Sequence, residues 1–246
     1  MPYSLIHSLT DKLRRYLKRK GFRIMRARNC PQGTDALLYK DLAAFLQRAG
    51  KPFVMLDIGA NTGEFSKAFL ESVPQAIIHC FEPSPDVFRS LSKRYKADPR
   101  VTCHHQAVGE STGKMAFEMR PDDNTLGRLV EKAGEGTCPV EVTTVDVVAD
   151  ALDAPYIALL KTDTEGNELQ VLSGAARTLD QNRILAILVE VTLGDTTERH
   201  ISLNQVSRVL VPHGFTLSGV YDIGYDRHTG ATRFCNALFK SRALSS

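Results

Sequence analysis

No apolar run in this 246-residue chain approaches the roughly 20 residues a membrane-spanning helix needs. The N-terminus also lacks the apolar core of a signal peptide, so a cytoplasmic protein is expected. Cysteine is sparse and scattered: Cys30, Cys80, Cys103, Cys138 and Cys235 are odd in number and form no C-x-x-C. That excludes a zinc ribbon and fits a reducing compartment. There is no internal repeat and no low-complexity tract. Glycine is missing where a dinucleotide-binding loop would need it, because the stretch 54–63 does not read G-x-G-x-x-G. No ligand set demands a metal, although clustered carboxylates are able to bind magnesium.

The formal net charge of +3 hides an asymmetry. Residues 1–30 hold nine Lys and Arg against Asp11 alone, a balance of +8, and the remainder carries −5. Such an arm bears on partners rather than on fold. Residues 3–20 place Leu5, Ile6, Leu9, Leu13, Tyr16 and Leu17 at helical spacing with basic residues between them. The resulting amphipathic helix has three readings. It lies on an anionic membrane surface, peripheral at the inner face; it attracts an anionic acceptor such as a glycolipid; or its apolar stripe packs on the domain. A second helix is predicted over 35–49, and the extension is drawn as residues 1–50, with the main domain over 51–246.

From Lys51-Pro52 onward the pattern alternates. Apolar runs at 53–58, 76–82, 101–108, 157–163 and 184–191 read as strands, with helices over 64–72, 85–96 and 167–179 separating most of them. This predicts an α/β fold with a mostly parallel sheet, seven-stranded, covered by helices on both faces. Short extra strands at 114–119 and 140–145 flank a polar loop from Pro121 to Pro139. A helix over 202–211 and strands at 214–221 and 233–240 predict a closing antiparallel hairpin.

In such sheets ligands bind beyond the carboxyl ends of the strands, at the switch point. The first strand runs into Asp57 and then a small-residue turn, Gly59-Ala60-Asn61-Thr62-Gly63. Asn61 stands where a middle glycine would serve, and Asn visits left-handed backbone at low cost. A strand-end acid before the first glycine suits a cationic, amino-acid-bearing ligand, which points to S-adenosylmethionine. Glu82 ends the second strand, placed to accept two ribose hydroxyls, while Pro83 and Pro85 bend the chain away to leave room for a nucleoside. Gln106, or a backbone amide near it such as that of Ala107, is a candidate reader of an adenine edge. His104 and His105 are adjacent on a strand and point to opposite faces, so they form no metal pair. Asp163 and Glu165, in Lys161-Thr162-Asp163-Thr164-Glu165-Gly166-Asn167-Glu168, could orient a hydroxyl, act as general base, hold the cofactor's amino group or cap a helix. Glu190, at the end of the fifth strand, faces the same cleft or is a solvated strand-end acid.

Taken in order, Leu56–Gly63, Phe81-Glu82-Pro83, Gln106-Ala107-Val108-Gly109, Leu160–Glu168 and Val189-Glu190 resemble the FkbM family of S-adenosylmethionine-dependent methyltransferases over residues 50–240 or so. The departure is Thr162 and Thr164, polar where apolar residues are expected. The resemblance implies a class I methyltransferase (Rossmann-like) fold and O-methylation of a sugar, glycolipid or other small hydroxylated acceptor. It also implies cofactor contacts at Asp57, Gly59, Asn61, Glu82 and Asp163. Asp163 is then expected to hold the cofactor and orient the acceptor, with Glu165 or Glu190 as base. The 120–138 loop, with Asp122, Asp123, Asn124, Thr125 and Arg128, would roof the acceptor pocket or is a solvated polar insertion. The basic arm suggests a rival, a nucleic-acid methyltransferase. Against it, the fourth strand ends Lys161-Thr162-Asp163-Thr164 rather than Asn/Asp-Pro-Pro-aromatic, and the arm has few aromatics for stacking. A non-catalytic nucleoside-binding protein of the same fold is the other alternative.

Overall fold

The computed structural model describes residues 35–48, 53–119, 127–130, 132–193, 201–225 and 232–244. The amphipathic segment predicted over 3–20 and the acceptor-loop residues 122–125 lie outside the described residues.

Seven strands form one sheet: β1 (Val54–Ile58), β2 (Ile77–Phe81), β3 (Val101–His104), β8 (Leu159–Thr162), β9 (Ala186–Val191), β10 (Phe215–Tyr225) and β11 (Thr232–Ser241). Their spatial order is β10-β11-β9-β8-β1-β2-β3. The pairs among β3, β2, β1, β8 and β9 are parallel, whereas β11 runs antiparallel to β9 and to β10. The expected mostly parallel sheet and its closing hairpin are therefore present. Winding reverses between β1 and β8, which places the switch point beside Gly59 and Asp163.

Every residue of β1 is buried, as a strand covered on both faces requires. Val54, Leu56 and Ile58 join Leu160, Ile187 and Val189 in one core, closed by α4 (Val145–Ala151), α5 (Glu168–Ser173), α6 (Ala176–Asp180) and α7 (Leu203–Leu210). Met55 points the other way with Ile78, Leu159 and Leu188, under α1 (Asp35–Leu46), α2 (Glu64–Ser72) and α3 (Pro85–Tyr95). Leu38, Leu42 and Leu46 are fully buried there. The helix predicted over 35–49 thus belongs to the core of the main domain, although the extension was drawn to residue 50. Among the described residues no helix is long and apolar enough to cross a membrane.

A second, four-stranded sheet departs from the predicted pattern. Its order is β4-β7-β5-β6, from β4 (Ala107–Val108), β7 (Thr137–Thr143), β5 (Gly113–Met119) and β6 (Gly127–Val130). The single strand expected at 101–108 is split: β3 stays in the large sheet, and β4 pairs with β7 instead. The predicted polar loop contains β6, paired antiparallel with β5. Phe117, Val140 and Val142 give this sheet its own small core. The helix expected over 167–179 is two helices broken at Gly174. A Cβ there would lie 2.0 Å from the Gly109 carbonyl oxygen, so contact with another loop dictates the glycine.

Candidate active site

The cavity opens at the carboxyl ends of β1, β2, β8 and β9, enclosing about 870 Å³ with the solvent at its mouth included. Gly59, Asn61, Glu82, Pro83, Gln106, Ala107, Asp163, Glu165 and Glu190, all singled out in the sequence, line it. Ile58, Phe81, Val108, Phe117 and Leu129 supply apolar wall, the last three from the second sheet.

The turn after β1 is built for close approach. Gly59 has φ +72° and a Cβ on it would meet the Asp163 carbonyl oxygen at 1.9 Å. The amides of Gly59 and Ala60 both donate to the Phe81 carbonyl, each at 3.0 Å, which ties the turn to the end of β2. Asn61 takes the left-handed conformation expected of it, with φ +50°. Gly63 precedes α2 with φ +82°, and its carbonyl accepts from the Tyr95 hydroxyl at 2.6 Å. Gly63 shapes the turn and does not line the cavity.

Glu82 is held from two sides. The Asn61 amide donates to its Oε2 and the Ser84 amide to its Oε1, both at 2.9 Å. These bonds fix the carboxylate at the cavity rim with its remaining lone pairs available to a diol. Burial raises its pKa to about 7, against the two amides and Lys161, which favour the charged form.

Asp57 takes a different place from the one expected. It is fully buried, shares its face of β1 with Met55, and does not border the cavity. The Ser66 hydroxyl, on α2, donates to its Oδ2 at 2.6 Å, and Lys161 Nζ lies 3.3 Å from its Oδ1 as an ion pair without hydrogen-bond alignment. Strand alternation explains this: the residue between Leu56 and Ile58 must face α2, beneath the turn. Asp57 lies beneath the loop, held by Ser66 and Lys161.

The turn after β8 gathers the acids. Glu165 has φ +55° and Gly166 φ +109°, a tight reversal held by Glu168. Glu168 Oε1 accepts from the amide and hydroxyl of Thr164, at 2.8 and 3.0 Å, and from the Gly166 amide at 3.3 Å. Neither Asp163 nor Glu165 caps the following helix, whose N-cap is Asn167. Burial lifts Glu168 to about 7. Glu190 is pushed up to about 9, first by burial and then by the nearby charges of Asp163, Glu165 and Glu168. Glu168 and Lys161 had no role assigned from sequence. For Lys161 the signal was a lone cation in a buried, otherwise uncharged strand. Arg128 pairs with Glu118 at 3.0 Å across β5 and β6, at the edge of a shallower groove that shares Leu129, Glu165 and Asn167 with the main cavity.

The two histidines divide as expected and stay out of the cavity. His104 stacks on Phe81 and lies 3.2 Å from His79 through ring nitrogens, and burial lowers the pKa of both. His105 stacks on Phe88. Among the described residues no group of three or more metal-ligating side chains converges.

Residues 57–216 match the methyltransferase FkbM domain. The hexuronic acid methyltransferase AglP of Haloferax volcanii is 27% identical over 150 residues, 61% of this chain and 60% of AglP. The 2-O-methyltransferase NoeI of Sinorhizobium fredii is 25% identical over 148 residues, 54% of this chain and 61% of NoeI. The 31-O-demethyl-FK506 methyltransferase FkbM of Streptomyces tacrolimicus is 29% identical over 219 residues, 73% of this chain and 80% of that protein. The chain thus spans about 60% of the length of the first two.

Proposed function

The chain belongs to the methyltransferase FkbM domain family, and from that premise we propose that it transfers the methyl group of S-adenosylmethionine to a hydroxyl of a sugar or other small hydroxylated acceptor. The observation that carries this reading is the distribution of polar groups about the switch point. Glu82 and Gln106 stand on the β2–β3 side, and Asp163, Glu165 and Glu190 stand on the β8–β9 side of one cavity. The first pair suits a nucleoside, with a preset carboxylate for the ribose diol and an amide side chain for a base edge. Ile58, Phe81 and Val108 offer apolar surface for the base. The second set suits a cation and a hydroxyl proton. The residues present therefore fit the cofactor.

When bound, the cofactor supplies a methyl group already activated on a sulfonium, so the protein's task is mainly alignment and partial deprotonation. Glu82 holds the ribose end. Asp163, side chain about a third exposed, meets the cofactor's positive charge and orients the acceptor oxygen. Glu190 or Glu165 takes the hydroxyl proton. The raised pKa of Glu190 makes it the stronger base of the two once a cation in the cavity favours its charged form. A hydroxylated acceptor is supported by the relatives, a hexuronic acid methyltransferase, a 2-O-methyltransferase and a 31-O-demethyl-FK506 methyltransferase.

The test is calorimetric binding of S-adenosylmethionine, followed by transfer of labelled methyl to a panel of sugars, glycolipids and RNA. Label on RNA alone would return the nucleic-acid alternative, and binding without transfer would favour a non-catalytic protein. We propose further that residues 1–28 bring the enzyme to an anionic surface from the cytoplasmic side, a reading supported by the charge of that stretch. Removing residues 1–20 should abolish salt-sensitive pelleting with anionic liposomes; pelleting that persists refutes it.

A further inference from the structure

Lys161 is 6% exposed, in a strand whose other residues, Leu159, Leu160 and Thr162, are all buried. Its ammonium donates to the Gly59 carbonyl at 3.1 Å and lies 3.3 Å from both Asp57 Oδ1 and Asp163 Oδ2. The Phe65 ring centroid is 5.6 Å away. One cation thus joins the ends of β1 and β8, the two strands between which the sheet's winding reverses. Six carboxylates surround it or lie near: Asp57 from β1, Glu82 from the end of β2, Asp163 and Glu165 from the turn after β8, Glu168 from α5, and Glu190 from β9. Among the described residues no Lys or Arg lines the cavity.

A buried ion triad is weak evidence for stability, since apolar groups of similar size often do as well. Its position is more informative. Gly59 and Asp163 both border the cavity, and Lys161 bonds or pairs with both from beneath. We propose that Lys161 is a positioning residue for methyl transfer, locking Asp163 to the Gly59 turn and supplying the positive charge that offsets the acids around the cavity. The proposal rests on the methyltransferase reading above. Without the ammonium, Asp57 keeps only Ser66, and Asp163 faces the other acids with no countercharge. Proton uptake then relieves the repulsion. Lys161 lowers the pKa of both Glu82 and Glu190, so its loss moves their protonation to higher pH, and a cavity with more protons attracts a cationic cofactor less.

The experiment is calorimetric binding of S-adenosylmethionine from pH 6 to pH 9 to the full chain as wild type, Lys161→Met and Lys161→Arg. The pH at which affinity falls to half its plateau should rise by about one unit or more in Lys161→Met, the size expected when an opposite charge a few ångströms away is lost. Lys161→Arg should stay near the wild-type midpoint. If Lys161→Met does not fold, the pair Asp57→Asn with Lys161→Met removes opposite charges together and should show the same upward move. Equal midpoints in a wild type that binds and in the Met or double variant overturn the assignment alone. A wild type that binds no S-adenosylmethionine at any of these pH values strikes down the methyltransferase reading, and the assignment with it.

Discussion

Replacing Glu82 with Gln changes both stability and binding, and the structure gives the sign of each. The carboxylate is 6% exposed and accepts two backbone amides, yet its pKa is raised to about 7 because burial outweighs those bonds. An acid whose folded pKa exceeds its unfolded value favours folding in its protonated form. That contribution is complete below the unfolded pKa of roughly 4.3 and is lost as pH rises through about 7. Between pH 5 and pH 8 the wild type should lose about 2–3 kcal/mol from this residue, and Glu82→Gln should lose none of it. Urea unfolding of both proteins at the two pH values isolates the term, because every other titrating group is shared. Gln also presents an amino group to one of the two backbone amides, which lowers its stability at both pH values and cancels in the comparison. A constant gap between the two proteins from pH 5 to pH 8 would refute the reasoning. Affinity for S-adenosylmethionine should fall by about 1–3 kcal/mol at pH 8, the loss expected for charged hydrogen bonds to the ribose.

Other outcomes follow from the same geometry. Gly59→Ala places a methyl group 1.9 Å from the Asp163 carbonyl oxygen at φ +72°, so the ends of β1 and β8 must part. A loss of about 3 kcal/mol or more in chemical unfolding is expected, and near-wild-type stability would contradict the close approach. Asp57→Ala leaves the Lys161 ammonium with less countercharge and should cost about 3–5 kcal/mol of stability, read by thermal and urea unfolding. A variant of wild-type stability that has lost only cofactor affinity would return Asp57 to the ligand. Tyr95→Phe removes the hydroxyl donated to Gly63 and should cost about 1 kcal/mol; no change in the unfolding midpoint would discount that bond.

The parallel sheet and the turn after β1 were legible because each obeys a local rule. Buried parallel strands read as apolar runs, and Asn61 is a residue able to take φ +50° between two glycines. What escaped depends on distant partners. Nothing in His104-His105-Gln106 marks a break, yet β4 leaves the large sheet to pair with β7, some 35 residues later. Gly127-Arg128-Leu129-Val130 is too short a run to announce a strand until β5 lies beside it. Lys161 meets Gly59 across 102 residues of sequence. The burial of Asp57 was within reach: period-two alternation sets it on the face of Met55, opposite Leu56 and Ile58, and Ser66 then waits on the next helix.

The cavity is assembled from two sources that share little structure. Its floor and its row of acids belong to the large sheet, whereas Phe117, Gly127 and Leu129 come from the four-stranded one with a separate apolar centre. Substitutions on β5 and β6 therefore alter one wall of the cavity without touching the turn after β1 or the acids at the ends of β8 and β9.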